Sequence, residues 1–236
     1  MVPSSEYGGE NRTIWKAAPR LDPGGMIELL RSGKVNTILS ADSYLKTLVT
    51  ASITSHFLKE GFVVYLDLDT MFTFLLESGE ISFSRMERLS VTIPSGDELD
   101  DAISNLYSLD NHLPRLIVFD GVFAYYHIQG GLLTPMRLNQ KLSLHLALLG
   151  KMAERVDATL LLTGAVRRKR RDEAGLIHWI PAYSGGRVVK KMSSVILRID
   201  DSVNGVKLTV LKHPDTFLSL KVLNLEPLQP HEVHSD

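Results

Sequence analysis

The strongest constraint on this chain is a recurring pattern. Near-continuous apolar runs alternate with stretches of helical periodicity. Val35 to Ser40 (VNTILS), Phe62 to Asp67 (FVVYLD), Arg115 to Asp120 (RLIVFD) and Ala158 to Thr163 (ATLLLT) are the apolar runs. Such runs suit strands buried on both faces. Between them, Ser43 to Glu60 carries Leu45, Val49, Ile53 and Phe57 on one helical stripe, and Gly61 stops it. Ser95 and Glu98 have capping-box spacing and open a helix with Leu99, Ile103, Leu106 and Leu109 aligned. Arg137 to Val156 is the longest helix, striped by Leu138, Leu142, Leu146 and Leu149. Strand–helix alternation of this kind predicts an α/β fold with a mostly parallel sheet and helices on both faces.

The pattern changes near the end. Val195 to Ile199 and Val206 to Leu211 flank Asn204-Gly205, a hairpin signal. Leu218 to Val222 is expected to add a further strand. The sheet therefore gains an antiparallel C-terminal hairpin edge. Residues 1–20 are polar and read as an N-terminal arm, 21–226 as one core domain and 227–236 as a tail. The chain has 236 residues, 44% apolar and 22% charged, which fits one globular domain. It has no cysteine, which excludes disulfides, thiolate nucleophiles and Cys-based zinc sites. Neither a secretory h-region nor a run long enough to cross a membrane is present, so the expected setting is cytoplasmic.

In a parallel sheet, ligands bind at the carboxyl ends of the strands. The first strand-to-helix turn reads Ser40-Ala41-Asp42-Ser43-Tyr44-Leu45-Lys46-Thr47. Lys46 and Thr47 fall in the Lys and Ser/Thr places of the phosphate-loop pattern G-x-x-x-x-G-K-[ST]. Ser40 and Leu45 replace its two glycines, and Asp42 adds negative charge where phosphate would lie. Backbone amides fold around a phosphate most readily where glycine frees the chain. A lone Lys-Thr pair also suits an ordinary helix start with a solvated lysine.

A second feature is the basic run Arg167-Arg168-Lys169-Arg170-Arg171, which follows ATLLLT directly and precedes His178, Trp179 and Tyr183. Cations neutralise phosphates, and aromatic faces stack on unpaired bases. Arg187, Lys190 and Lys191 extend the basic surface, and Arg137 lies at the start of the long helix. The formal net charge of −1 hides this asymmetry. Residues 167–191 carry +6, leaving −7 on the other 211. The histidines have no metal-ligand spacing, and His145 sits beside a leucine stripe.

The order of these pieces resembles the RecA/RadA recombinase superfamily, in particular its archaeal RadA paralogues (RadC-like) with a degenerate Walker A motif. The resemblance covers Leu21 to Val222. Asp22-Pro23-Gly24-Gly25 is similar to a segment preceding the family's phosphate loop. Leu66-Asp67-Leu68-Asp69-Thr70-Met71-Phe72 resembles its Asp-Thr-Glu type motif, and Leu116-Ile117-Val118-Phe119-Asp120 its Walker B strand. Asn139-Gln140-Lys141-Leu142 is similar to its Arg-Gln-Gln-Lys-Leu, and Thr163-Gly164-Ala165-Val166 to its Thr-Asn-Gln-Val. Ser184-Gly185-Gly186 and Lys212-His213-Pro214 follow in order.

The resemblance implies a RecA-like three-layer fold. Lys46 and Thr47 would be vestigial nucleotide-binding residues, and Asp69 and Asp120 vestigial catalytic carboxylates. It places the basic run in a long loop that touches DNA, with Trp179, Arg187, Lys190, Lys191 and Arg137 as further contacts. Tyr125 to Gly131 would be a mobile first loop. Departures from the family weaken the motor. Asp69 is one methylene shorter than the family's water-activating Glu, and Ala165 replaces a Gln that senses the γ-phosphate. No Phe-x-x-Ala polymerisation peptide occurs in residues 1–20.

The expected function is DNA binding, with single-stranded DNA favoured, in support of homologous recombination and repair, without efficient ATP hydrolysis. A catalytic RadA-type recombinase or another paralogue is the expected partner, with a homodimer as the alternative. No resident cofactor is expected, and ATP with magnesium would be a weak ligand at most. The competing functions are a slow ATPase with a non-standard phosphate loop and a regulatory scaffold that does not bind DNA. Five contacts to single-stranded phosphates would give log affinity a slope of roughly −3.5 against log salt.

Overall fold

The computed structural model describes residues 24–96, 98–107, 113–130, 133–173, 176–183, 186–202 and 205–225. The expected arm over 1–20, the tail from 227, and Leu109, Gly131, Ser184, Gly185 and Asn204 lie outside them.

In chain order the elements are α1 (Gly24–Ile27), β1 (Val35–Ser40), α2 (Ser43–Glu60), β2 (Phe62–Asp67), α3 (Met71–Glu77) and β3 (Leu89–Thr92). Next come α4 (Glu98–Leu106), β4 (Pro114–Asp120), α5 (Val122–Ile128), α6 (Pro135–Val156), β5 (Thr159–Glu173) and β6 (Leu176–Tyr183). The last are α7 (Gly186–Met192), β7 (Val195–Ser202), β8 (Gly205–Lys212) and β9 (Val222–Leu225). The nine strands form one sheet in the order β3-β2-β4-β5-β1-β7-β8-β9, with β6 joined to β5 off this path. β1, β2, β3, β4, β5 and β7 run parallel, while β8 and β9 add an antiparallel edge. The chain is therefore α/β, with a mostly parallel sheet, helices around it and an antiparallel hairpin at one edge.

Strand alternation divides the core into two faces. Ile38, Val63, Tyr65, Val118 and Leu161 pack with α2 and α3 on one face. Val64, Leu66, Ile117, Phe119 and Leu162 pack with α4, α5 and α6 on the other. α2 is buried around most of its circumference, and of its buried threonines only Thr54 leaves its hydroxyl without a partner among the described residues. Thr47 and Thr50 return their hydroxyls to the carbonyls of Ser43 and Lys46, at 2.9 and 2.8 Å. α6 begins earlier than expected, at Pro135, because Thr134 caps it and proline suits the first helical turn. In α4, the Glu98 side chain accepts from the Ser95 amide at 2.9 Å, the reciprocal half of the expected capping box.

Three expectations change. The basic run is not in a loop: β5 continues through it, and residues Val166 to Glu173 pair antiparallel with Leu176 to Tyr183. The β-branched and aromatic residues of β6 favour extended backbone, and the ladder between the two segments satisfies their facing backbone groups. Tyr125 to Gly131 is not a free loop over its described part. α5 runs to Ile128, with Tyr125 fully buried a turn below Val122. The last strand begins at Val222 rather than Leu218. Asp215 caps a short turn over Thr216–Leu218, and Leu220 takes φ +65°, which interrupts extended backbone.

Asn36, fully buried at the start of β1, ties the preceding turn to the sheet. Its amide group donates to Arg31 O and Lys34 O, both at 2.9 Å, and its carbonyl accepts from Arg31 N at 2.8 Å. Asn36→Ala strands these groups. A loss of about 2–3 kcal/mol is expected in urea denaturation, with the m-value unchanged.

Candidate functional site

The carboxyl ends of β1, β2 and β4, with Thr163 from within β5, converge on a largely buried polar cluster. Asp67 and Asp120 close β2 and β4 as register partners. Lys46 enters from the first turn of α2 with only 4% exposure. Its ammonium lies 2.8 Å from Asp120 Oδ1 and also pairs with Asp69 Oδ2. Asp120 is saturated by the chain: Tyr65 donates its hydroxyl to Oδ2, and Thr163 donates to Oδ1. Thr163 in turn accepts from Gly121 N at 3.0 Å. Tyr65 is held by Phe72, stacked at 3.7 Å between ring centroids.

Two backbone features aim this cluster. Gly121 sits at φ +98°, where a Cβ would meet the Asp69 Cβ at 3.2 Å. Thr70 takes φ +64° after Asp69, a rare conformation for a β-branched residue, and turns the chain into α3. Asp67 Oδ2 accepts from Thr73 N at 2.8 Å and Thr73 Oγ1 at 2.7 Å, while its Oδ1 is buried without a partner.

The electrostatics follow from crowding. Asp67, Asp69 and Asp120 each place an oxygen within 4.8 Å of the others, against one ammonium. Burial pushes the Asp67 carboxyl up to about 6, opposed by the Thr73 bonds and reinforced by Asp120 and Asp69. Burial also works against the charge on Lys46, but Asp120 and Asp69 outweigh it and hold its pKa above the usual lysine value. Burial, with Asp120 next to it, drives the Tyr65 phenol well above its ordinary range.

The end of α2 that a phosphate would approach is already engaged. Asp42 caps the helix, its carboxylate accepting from Leu45 N at 3.0 Å. The Asp42 amide itself donates to Ser40 Oγ at 3.1 Å. Thr47 is fully buried with its hydroxyl turned to Ser43 O. The donor set therefore does not fit a magnesium nucleotide. Lys46 is the cation of the three-carboxylate cluster, and the hydroxyl at the magnesium place serves the helix.

Lys46, Asp69 and Asp120 thus come together as their positions suggested, and Thr47 does not join them. The DNA-binding candidates lie elsewhere. Arg167, Arg168, Lys169, Arg170 and Arg171 occupy β5 beyond the sheet, with Trp179 on β6 in register with Arg170. Arg187, Lys190 and Lys191 are exposed on α7, and the Lys190 carbonyl near its end accepts from Lys212 Nζ at 3.1 Å. Arg137 is exposed in the first turn of α6. His145 is buried, with Nε2 2.6 Å from Asp100 Oδ1. Tyr65, Thr73 and Thr163 were not assigned roles from sequence. The one available signal was a tyrosine inside a buried strand, whose hydroxyl needs a partner.

No protein-family model matches the chain, and no curated protein matches it either.

Two variants test the cluster. Lys46→Met leaves the buried Asp120 and the half-buried Asp69 without a countercharge, and a loss of about 3–5 kcal/mol is expected in denaturant titration. Asp67→Asn acts in the opposite direction. The folded-state pKa of Asp67 is raised, so its contribution to stability is full below about pH 4 and is lost as pH rises through about 6. The wild-type chain should lose up to about 3 kcal/mol from this group between pH 4 and 7. Asp67→Asn should flatten that dependence and be the more stable protein at pH 8. Parallel pH–stability curves for the two proteins would contradict it.

Proposed function

We propose that this chain is a RecA/RadA-type paralogue with a RecA-like three-layer core, which binds DNA and assists homologous recombination and repair without ATP hydrolysis. The observation that carries the reading is the ribbon of β5 and β6. It sets five consecutive basic residues beyond the carboxyl end of the sheet, next to a basic α7. Electrostatic attraction to phosphates is the sequence-independent part of nucleic-acid binding, and a local excess of +6 in residues 167–191 supplies it. The acidic remainder of the molecule confines that attraction to one region.

The closed polar cluster supports the second half of the reading. Lys46 is neutralised by Asp120 and Asp69, Asp42 stands in the place of an anion, and Thr47 is turned inward. A core held together by its own ion pairs does not need nucleotide to keep its shape. Such a subunit fits a role beside a catalytic recombinase or another paralogue, in a cytoplasmic, nucleoid-associated setting. The slow-ATPase alternative draws on the same cluster, because Lys46 does lie at the start of the helix after β1.

Fluorescence anisotropy with labelled DNA tests the first half. Replacing all five basic residues of the run with glutamine should weaken binding by at least roughly 100-fold at moderate salt. Thermal melting with ATP and magnesium tests the second. A ligand held at 100 times its Kd stabilises by about 2.7 kcal/mol, a shift of several degrees. The expected shift is zero, with no phosphate released. A saturable ATP-dependent shift would favour the ATPase reading.

A further inference from the structure

α6 carries a second stripe besides the one that packs on the sheet. Leu138, Leu142, Leu146 and Leu149 turn inward and are buried. On the opposite side Arg137, Gln140, Leu144, Ala147, Lys151 and Glu154 are all exposed. These six recur at alternating steps of three and four, the spacing that keeps one seam of a helix toward a neighbouring helix. The middle of the seam is not an ordinary solvated face. From Leu142 to Gly150 the sequence LSLHLALLG holds no Asp, Glu, Lys or Arg. Leu144 is 57% exposed there, and Leu148 beside it 38%. Solvent faces of helices carry charged and polar residues, whereas here the charges stand only at the two ends. Ser143, Ala147 and Gly150 are small, and small residues at a contact let two helices approach closely.

The seam is complementary to itself when two copies run antiparallel. A two-fold axis level with the peptide between His145 and Leu146 sets Leu144 opposite Ala147 of the second copy, Gln140 opposite its Lys151 and Arg137 opposite its Glu154. Apolar residues then meet at the centre, and opposite charges meet at both ends. A parallel pair would set Arg137, Lys151 and Glu154 each against its own copy, which is unfavourable three times over. Nearby charges are engaged elsewhere. Lys141 lies 3.1 Å from Asp100, and Arg155 stands over the Tyr107 ring, 5.3 Å from its centroid. Glu154 pairs with Lys34 at 2.9 Å, but both side chains are more than half exposed, so this surface contact is weak and exchangeable.

We infer that the outward face of α6 is a homodimer interface, in which two copies of this chain pair their α6 helices antiparallel about a two-fold axis. The helix offers a contact roughly 33 Å long at 1.5 Å per residue. One helix pair is a small interface, of the kind that forms weak or transient dimers. The inference does not depend on DNA binding, and either can fail without the other.

Sedimentation velocity of the full chain, without DNA, tests it over concentrations of about 1–200 μM, where a monomer–dimer equilibrium is expected. Arg137→Glu alone, or Glu154→Arg alone, sets like charges against each other twice and should weaken association at least roughly tenfold. Both substitutions in one chain restore opposite charges and should bring association back to within about threefold of the wild type. These positions are exposed, and circular dichroism checks that each variant is folded. The chain has no cysteine, so its helix direction can be read by crosslinking. A mixture of Leu144→Cys and Ala147→Cys chains should be joined by a short bis-maleimide, and more readily than either chain to itself. A chain that stays monomeric throughout overturns the inference. So does a dimer that ignores the single charge reversals, or a double variant that associates no better than the singles. Preferential crosslinking of Leu144→Cys chains to one another would overturn the antiparallel arrangement.

Discussion

A fully buried aspartate at the centre of a sheet is tolerable only if its charge is met. Asp120 is met three times, by the Lys46 ammonium and by the hydroxyls of Tyr65 and Thr163. Those partners come from α2, β2 and β5, so one carboxylate fixes the relative heights of three neighbouring elements. Removing any partner leaves a charge or dipole in a medium that cannot solvate it. The register of Asp67 with Asp120 then brings a second carboxylate close, and Asp69 brings a third. One ammonium faces three carboxylates, and burial above all, reinforced by Asp120 and Asp69, raises the pKa of Asp67. The strained turn through Thr70 and the left-handed Gly121 are the backbone cost of keeping the three together.

The same network explains why the chain can resemble a nucleotide-driven machine and still lack the open cradle such a machine needs. A phosphate site depends on donors that have no internal partner until ligand arrives. Here the first turn of α2 is capped by Asp42, and the lysine that would reach a phosphate has two carboxylates of its own.

Much of the fold was legible in the sequence because strands buried on both faces leave continuous apolar runs, and FVVYLD and ATLLLT have few other readings. The short elements were not legible. α3, α5 and α7 have seven residues each and β3 has four, too few for a periodicity to stand out. The ribbon was missed for a different reason: arginine, lysine and aspartate do not favour strands, and only pairing with β6 makes that backbone extended. In the cluster, Lys46 was marked by its place in the phosphate-loop pattern, and Asp69 and Asp120 by the family resemblance. Tyr65 and Thr163 were not, since each reaches Asp120 across 55 and 43 residues of chain, and no local pattern encodes that distance.

β5 has a mechanical character that no other strand shares. It is a single uninterrupted strand from Thr159 to Glu173, gripped between β4 and β1 at one end and projecting with β6 at the other. A pull along the projecting end is opposed by two ladders loaded in shear, in which many hydrogen bonds must yield together rather than one after another. Thr163, on Asp120, lies within the gripped part. Tension carried by β5 is therefore borne by its ladders to β4 and β1, beside the bond from Thr163 to Asp120.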